Sequence, residues 1–232
     1  MQVALAKGSP AGLAMAVERG FILTDHLELI DRELIEAIAR AESGRANQAQ
    51  ILLVAVPPRH GKSTLISVYT PAWYLGLFPE RRVILTSYEG DFAASWGMRV
   101  RDLLAEHGAG LYGVEISRSS RAARRWDLSS GGGMITAGVG GAITGRGANL
   151  LIIDDPLKSA EAAMSAVIRE KQWDWWLATA RTRLEPGSVV VVLMTRWHQA
   201  DLGGRLIGEA RAEGDLVREI RLPALAEADD VL

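Results

Sequence analysis

The sequence predicts an α/β protein with a mainly parallel central sheet flanked by helices, and three observations lead there. Apolar runs of strand length recur at 51–56, 83–87, 150–153 and 188–194, each aliphatic or β-branched on both faces. Strands with no polar face are buried on both sides, as in a parallel sheet. Helical patterns lie between them at 62–76, 91–107, 160–184 and 200–213, and this βαβ alternation is the mark of a doubly wound sheet. Polar sets then follow three of the runs, at the carboxyl ends of strands where open α/β sheets bind ligands.

Composition sets the outer bounds. The chain has 232 residues, 48% of them hydrophobic, enough for one large α/β domain or two small ones. With 26 basic and 28 acidic side chains the net charge is −2, so no global field draws in a polyanion and any nucleic-acid contact is local. Cysteine is absent, which excludes disulfides and thiolate metal sites and fits a reducing cytosol. Histidines 26, 60, 107 and 198 are scattered without ligand spacing, so no structural metal is expected. The longest apolar runs, "ILLVAV" and "SVVVVLM", are far shorter than a membrane span, and the first residues lack a basic flank and cleavable apolar core. A soluble protein without a membrane partner is expected.

The elements follow in order. Residues 1–20, rich in alanine and glycine, are expected to form a loosely ordered extension. In "TDHLELIDRELIEAIARAES" (24–43), Leu27, Ile30, Leu34, Ile35 and Ile38 recur at helical spacing behind Thr24 or Asp25 as cap. The stretch 118–126, "RSSRAARRW", is either a contact for phosphate backbone or a neighbouring subunit, or a solvated face. "GGGMITAGVGGAITGRG" (131–147) holds eight glycines and is expected to contain a strand between unusual backbone turns. In "KQWDWWLATARTRLEPG", Trp173 and Trp176 share a helix face and are assigned to the core, with Trp175 pointing elsewhere. "VREIRLPALAEADDVL" reads as a short last strand followed by the start of a linker.

The strand ends carry the chemistry. In "ILLVAVPPRHGKSTLISVY" (51–69), Gly61, Lys62 and Ser63 leave a buried strand and open a helix. That context supports a phosphate loop although Val56 stands where G-x-x-x-x-G-K-[ST] has its first glycine. Helix amides exposed there point at an anion. On this reading Gly61 permits close backbone approach, Lys62 reaches the β- and γ-phosphates, the Ser63 hydroxyl binds Mg²⁺ and Thr64 lies near the α-phosphate; the alternative is a turn with a solvated lysine. "NLLIIDDP" (149–156) delivers two carboxylates at a strand end. Asp154 is placed to complete the Mg²⁺ shell and Asp155 to activate a water, unless Asp155 and Pro156 only form a turn. "VVVVLMTRWHQADLGGRL" (189–206) ends another strand on Thr195, Arg196 and His198. Thr195 either senses the γ-phosphate or caps a turn, and Arg196, Trp197 and His198 are equally open to packing or surface roles.

Together "PPRHGKS", "GVGGAITGRGANLLIIDDP" and "MTRWH", in that order and spacing, resemble the ATPase domain of tailed-bacteriophage terminase large subunits, over residues 21 to 228. The resemblance implies an additional-strand, RecA-like (ASCE) P-loop fold and Mg²⁺-ATP hydrolysis that drives double-stranded DNA into a procapsid. It also implies a homo-oligomeric ring, commonly pentameric, on the portal protein in the host cytoplasm, served by a small terminase subunit. Phosphate loops of this family often lack the first glycine and carry an arginine, so Val56 is tolerated and Arg59 is expected to contact phosphates from its own subunit. Pro58, Arg59, His60, Gly61, Lys62, Ser63 and Thr64 then form the nucleotide-contacting loop. Arg146, in "TGRG", best matches an arginine reaching a neighbour's ATP, a contribution worth roughly 10³–10⁵ in rate; the other reading is a turn with a solvated side chain. Thr195 and Arg196 match the coupling segment.

The sequence departs from the pattern in two places. Many such motors place glutamate after the Walker B aspartate, whereas Asp155 sets its carboxylate about 1.5 Å further back, a displacement worth about 10²-fold if uncompensated. The upstream adenine-contacting glutamine is not evident; His26 stands near that place, with Phe21 as a stacking candidate. The expected division is an extension at 1–20, the ATPase domain at 21–226 and a linker beginning at 227–232, with no nuclease in this chain and no DNA cleavage by it. Two rivals stand beside this reading: a helicase-like ASCE ATPase unconnected with packaging, and a nucleotide-binding but inactive assembly module.

Overall fold

The computed structural model describes residues 1–44, 48–57, 59–143 and 145–223. In chain order the elements are α1 (Gln2–Gly8), α2 (Pro10–Val17), α3 (Asp25–Glu42), β1 (Gln50–Ala55), α4 (Lys62–Thr64), α5 (Thr70–Leu77), β2 (Arg82–Ser87), α6 (Gly90–Tyr112), β3 (Ile116–Ala122), β4 (Arg125–Leu128), β5 (Gly133–Gly138), β6 (Ala148–Asp154), α7 (Ala160–Met164), α8 (Ala166–Trp175), β7 (Leu184–Met194), α9 (Leu202–Glu213) and β8 (Leu216–Arg221). A π-helical turn, Leu65–Tyr69, joins α4 to α5. Another, Trp176–Ala180, extends α8.

The eight strands form one sheet in the order β3-β4-β5-β2-β6-β7-β1-β8. From β5 to β8 every pairing is parallel, as the doubly apolar runs predict. Their side chains alternate between two cores. Leu52, Val54, Leu150, Ile152, Val191 and Leu193 face one, beneath α3, α5 and α6; Ile51, Leu53, Leu151, Ile153, Val190 and Val192 face the other, beneath α8 and α9. Strand β7 lies between β1 and β6, with Val191 paired to Leu52 on one side and Ile152 on the other. This extra strand between the two site-bearing strands is the arrangement expected of the additional-strand class.

Three features differ from the sequence expectation, while the basic stretch agrees with its solvated-face reading, with Arg118, Arg124 and Arg125 exposed. The basic stretch 118–126 belongs to an antiparallel hairpin, β3–β4, added at the sheet edge. It is held there by Trp126, fully buried, whose indole donates to Gly97 O at 3.0 Å, and Arg124 pairs with Asp91. The helix expected over 160–184 is two helices. Ser165, in extended conformation, caps the second by accepting from Ile168 N, and such local bonds compete with a continuous helix. Trp175 is buried like Trp173 and Trp176, because the glycine-rich loop covers its face and Gly141 O accepts its indole N–H at 3.0 Å.

The opening residues are the third difference. They form α1 and α2, which bury Ala6, Ala11, Leu13 and Ala14 completely. Lys7 O accepts from the Trp73 indole at 3.0 Å, Ala6 O from the Tyr112 hydroxyl at 2.7 Å, and the buried Asp31 carboxylate accepts from Ala11 N at 2.8 Å. Burial raises the Asp31 pKa above the ordinary carboxylate value. Small residues are needed because the helices turn on each other closely: a Cβ on Gly12 would stand 2.2 Å from Leu5 O. The linker expected at 227–232 lies outside the described residues. Among the described residues no helix is long and apolar enough to cross a membrane.

Gly12→Ala should therefore cost about 1–3 kcal/mol, the usual penalty for overpacking. Urea unfolding measures it; an unchanged midpoint would mean that α1 and α2 contribute nothing to the folded core.

Candidate functional site at the carboxyl ends of β1, β6 and β7

Three strand tips meet at one edge of the sheet. Ala55 of β1 is paired with Met194 of β7, and Leu193 of β7 with Asp154 of β6. Adjacent strands are about 4.8 Å apart, so the loop after β1, the acids ending β6 and Thr195 share one locality. The Asp155 amide donates to Leu193 O at 2.7 Å and its carbonyl accepts from Tyr88 N at 3.2 Å, so the turn after β6 is tied to both neighbouring strands.

After β1 the chain enters the left-handed region twice, at Arg59 (φ 67°) and Gly61 (φ 75°). The second is free of penalty for glycine; the first is costly for arginine and typical of ligand-binding loops. Gly61 N-caps α4, and the helix's first backbone bond is Leu65 N to Gly61 O at 3.1 Å. The amides of residues 62–64 thus have no intrahelical acceptor and face the loop, a ready anion site. The Lys62 side chain is 4% exposed, with its ammonium 3.8 Å from the Asp155 carboxylate. A lysine so buried is not the solvated turn residue of the alternative reading.

The Asp154 carboxylate is the centre of the site. Ser63 Oγ donates to Oδ1 at 3.3 Å and Ser67 Oγ to Oδ2 at 2.8 Å. Burial pushes its pKa up to about 6, and the Asp155 charge adds to this. The Ser67 hydrogen bond, Lys62 and the Ser63 hydrogen bond act the other way. Asp155 sits at φ 45°, so the backbone leaves the strand direction at the residue whose side chain is shorter than glutamate. An all-oxygen donor set of one hydroxyl and one carboxylate beside a phosphate loop fits Mg²⁺, which takes few protein ligands and completes its shell with water and phosphate oxygens.

The His26 ring is 2.8 Å from His60 O and the two imidazoles meet edge to face at 5.6 Å, so His26 braces the loop from α3. Phe21, partly buried at the margin of the core, packs edge-on against Tyr69 at 5.9 Å. Arg59 is exposed on the loop and Thr64 half-buried behind it, while Pro58 lies outside the described residues. Arg196 reaches Asp201 at 3.0 Å and Glu219 at 3.6 Å. Asp201 is fully buried and caps α9 by accepting from Gly204 N, so Arg196 fastens the segment after β7 to α9 and β8. Arg146 precedes β6, about 20 Å along the strand from Asp154, and is ion-paired with Asp127 of β4. It belongs to the opposite edge of the sheet.

Sequence reasoning missed Ser67 and Asp201. A lone serine inside the apolar helical run "LISVY", four residues after Ser63, is the signal for the first; the second has none beyond being a capping residue type before α9.

A parallel sheet with one strand inserted between a phosphate-loop strand and an acid-tipped strand defines the RecA-like P-loop class of α/β protein. Within that class, residues 53–228 match the model of the family described as terminase large subunit, T4likevirus-type, N-terminal, and the chain belongs to this family. No curated protein sequence matches it. Among solved structures, the HK97 bacteriophage large terminase is similar over 92% of this chain and 42% of its own, at 16% identity and a TM-score of 0.58. The large terminase of a thermophilic bacteriophage, solved in complex with ATP-γ-S, aligns over 82% of this chain and 44% of its own, at 12% identity and a TM-score of 0.48. The chain therefore spans less than half the length of these proteins, and at 16% identity the HK97 likeness is one of fold.

The raised Asp154 pKa has a consequence for stability. The native state binds this proton more tightly than the unfolded chain, so stability associated with Asp154 is complete below about pH 4 and is lost as pH rises through about 6. Asp154→Asn removes the charge, and in metal-free buffer should be more stable than wild type at pH 8, by on the order of 1–3 kcal/mol, with the advantage vanishing near pH 4. Urea titrations at the two pH values measure it; an advantage independent of pH would refute the assignment to this carboxylate.

Proposed function

We propose that this chain is the ATP-hydrolysing motor domain of a viral DNA-packaging terminase. The observation that carries the reading is the convergence of a buried lysine, a left-handed glycine at a helix start, and a hydroxyl–carboxylate pair at the tips of adjacent strands. The amides after Gly61 donate to the triphosphate, with Lys62 against its β- and γ-oxygens; to do so Lys62 exchanges its contact with Asp155 for phosphate. Ser63 Oγ and Asp154 Oδ1 would hold Mg²⁺, which when bound neutralises charge on the phosphates. Asp155, released from Lys62, holds the attacking water and takes up its proton. Arg59 lies in the loop as a further phosphate contact, together with His60 and Thr64, and His26 sets the loop through His60 O rather than meeting adenine directly.

Thr195 follows the strand between the two site strands, so a change at the γ-phosphate reaches Arg196, and through its pairs with Asp201 and Glu219 reaches α9 and β8. This is the coupling path we assign. Arg146 lies too far from its own phosphate loop to act there; any catalytic role is toward a neighbour, where phosphate would replace Asp127. The setting proposed is a homo-oligomeric ring, commonly pentameric, on the portal protein of a procapsid in the host cytoplasm. Its substrate is double-stranded DNA, delivered with a small terminase subunit.

Phosphate release from Mg²⁺-ATP, followed against protein concentration, tests the reading. Lys62→Ala should lower turnover by about 10²–10³, the scale for removing one preorganised charge-stabilising donor, with the fold intact by circular dichroism. No wild-type turnover at any concentration would leave a nucleotide-binding module without hydrolysis. Arg146→Ala should reduce specific activity only where subunits associate; activity strictly proportional to concentration and indifferent to this change would remove the role in trans.

A further inference from the structure

Ser67 lies outside the GKS signature, and none of the roles above uses it. Its side chain is fully buried, and its bond to Asp154 Oδ2, 2.8 Å, is shorter than the 3.3 Å bond from Ser63 to Oδ1. Ser63 and Ser67 are four residues apart and so share one helix face. Between them the winding changes to the π turn Leu65–Tyr69. Pro71 supplies the reason: it has no N–H, and its ring crowds the carbonyl four residues earlier, which is that of Ser67. The helix widens instead. Thr70 N and Thr70 Oγ1 both donate to Leu65 O, the hydroxyl at 2.9 Å, and turns of this kind concentrate at functional sites.

We infer that Ser67 is a positioning residue for the metal site: it pins Oδ2 of Asp154 and so keeps Oδ1 directed at Ser63 and the Mg²⁺ position. A carboxylate turns about a broad, two-fold torsion, and fixing one oxygen sets the direction of the other. The inference rests on the nucleotide-site reading given above. Partners that orient a metal ligand from behind typically carry 10–100-fold in metal affinity.

The test is a Mg²⁺ titration of the whole chain in the presence of a fluorescent non-hydrolysable ATP analogue, read by fluorescence anisotropy. Ser67→Ala should move the Mg²⁺ midpoint up by about 10-fold or more and leave binding of the analogue in EDTA unchanged. Ser67→Thr, which keeps the hydroxyl, should return the midpoint toward wild type. Should Ser67→Ala fail to fold, Ser67→Cys, a weak donor of similar size, takes its place. Equal midpoints for wild type and Ser67→Ala, or a shift that Ser67→Thr leaves uncorrected, would overturn the assignment to Ser67 alone. Absence of any metal-dependent binding by the wild type would overturn the nucleotide-site reading beneath it.

Discussion

A carboxylate held 1% exposed at the tip of a central strand is the constraint around which this molecule is arranged. Removing a charge from water is costly unless hydrogen bonds or an opposite charge replace the solvent. Asp154 receives two hydroxyl donors from one helix face and the field of a buried lysine, and still binds its proton more tightly than a solvated aspartate. The environment is thus incomplete as a site for an anion by itself. It suits a carboxylate that shares its charge with a divalent cation, since a bound cation inverts the local balance and favours the ionised form.

The same constraint explains why the helix after β1 starts where it does. Lys62, Ser63 and Ser67 must all face β6, and they do so only if the chain reverses sharply through Arg59 and Gly61 and then runs back across the sheet. The π turn in front of Pro71 is part of that fit. Val56, where the general phosphate-loop pattern has its first glycine, is buried in the core with Leu52 and Val54, so it anchors the loop to the sheet.

Strand β7 joins the site to the rest of the molecule. It is bonded to β1 on one side and β6 on the other, and the segment leaving it is fixed by Arg196 to a buried helix cap. The Thr195 turn is therefore joined through Arg196 to α9 and β8, and packed elements of this kind shift as units rather than deforming continuously. The opposite edge of the sheet is held by unrelated contacts, Arg146 with Asp127 and Arg81 with Glu42. The two edges are separate surfaces of one sheet.

Much of this was legible in the residues themselves. Aliphatic runs without a polar face specify buried parallel strands, because no other arrangement covers both faces. Helical periodicity then specifies what covers them, and Gly61-Lys62-Ser63 and Asp154-Asp155 specify the strand tips by chemistry alone. Local pattern could not give the partners of a side chain, which depend on elements distant in sequence. Ser67 is an unremarked serine until β6 is brought against its helix. Alanine- and glycine-rich residues at the start look featureless, yet their small side chains are what lets α1 and α2 sit close together against Trp73 and Tyr112. Trp175 points away from Trp173 on a helical wheel, and only the path of the glycine-rich loop buries it. Burial periodicity and turn chemistry are properties of neighbours along the chain, so the sequence determines them. Which faces meet is set by how the whole sheet packs, and that was decided in three dimensions.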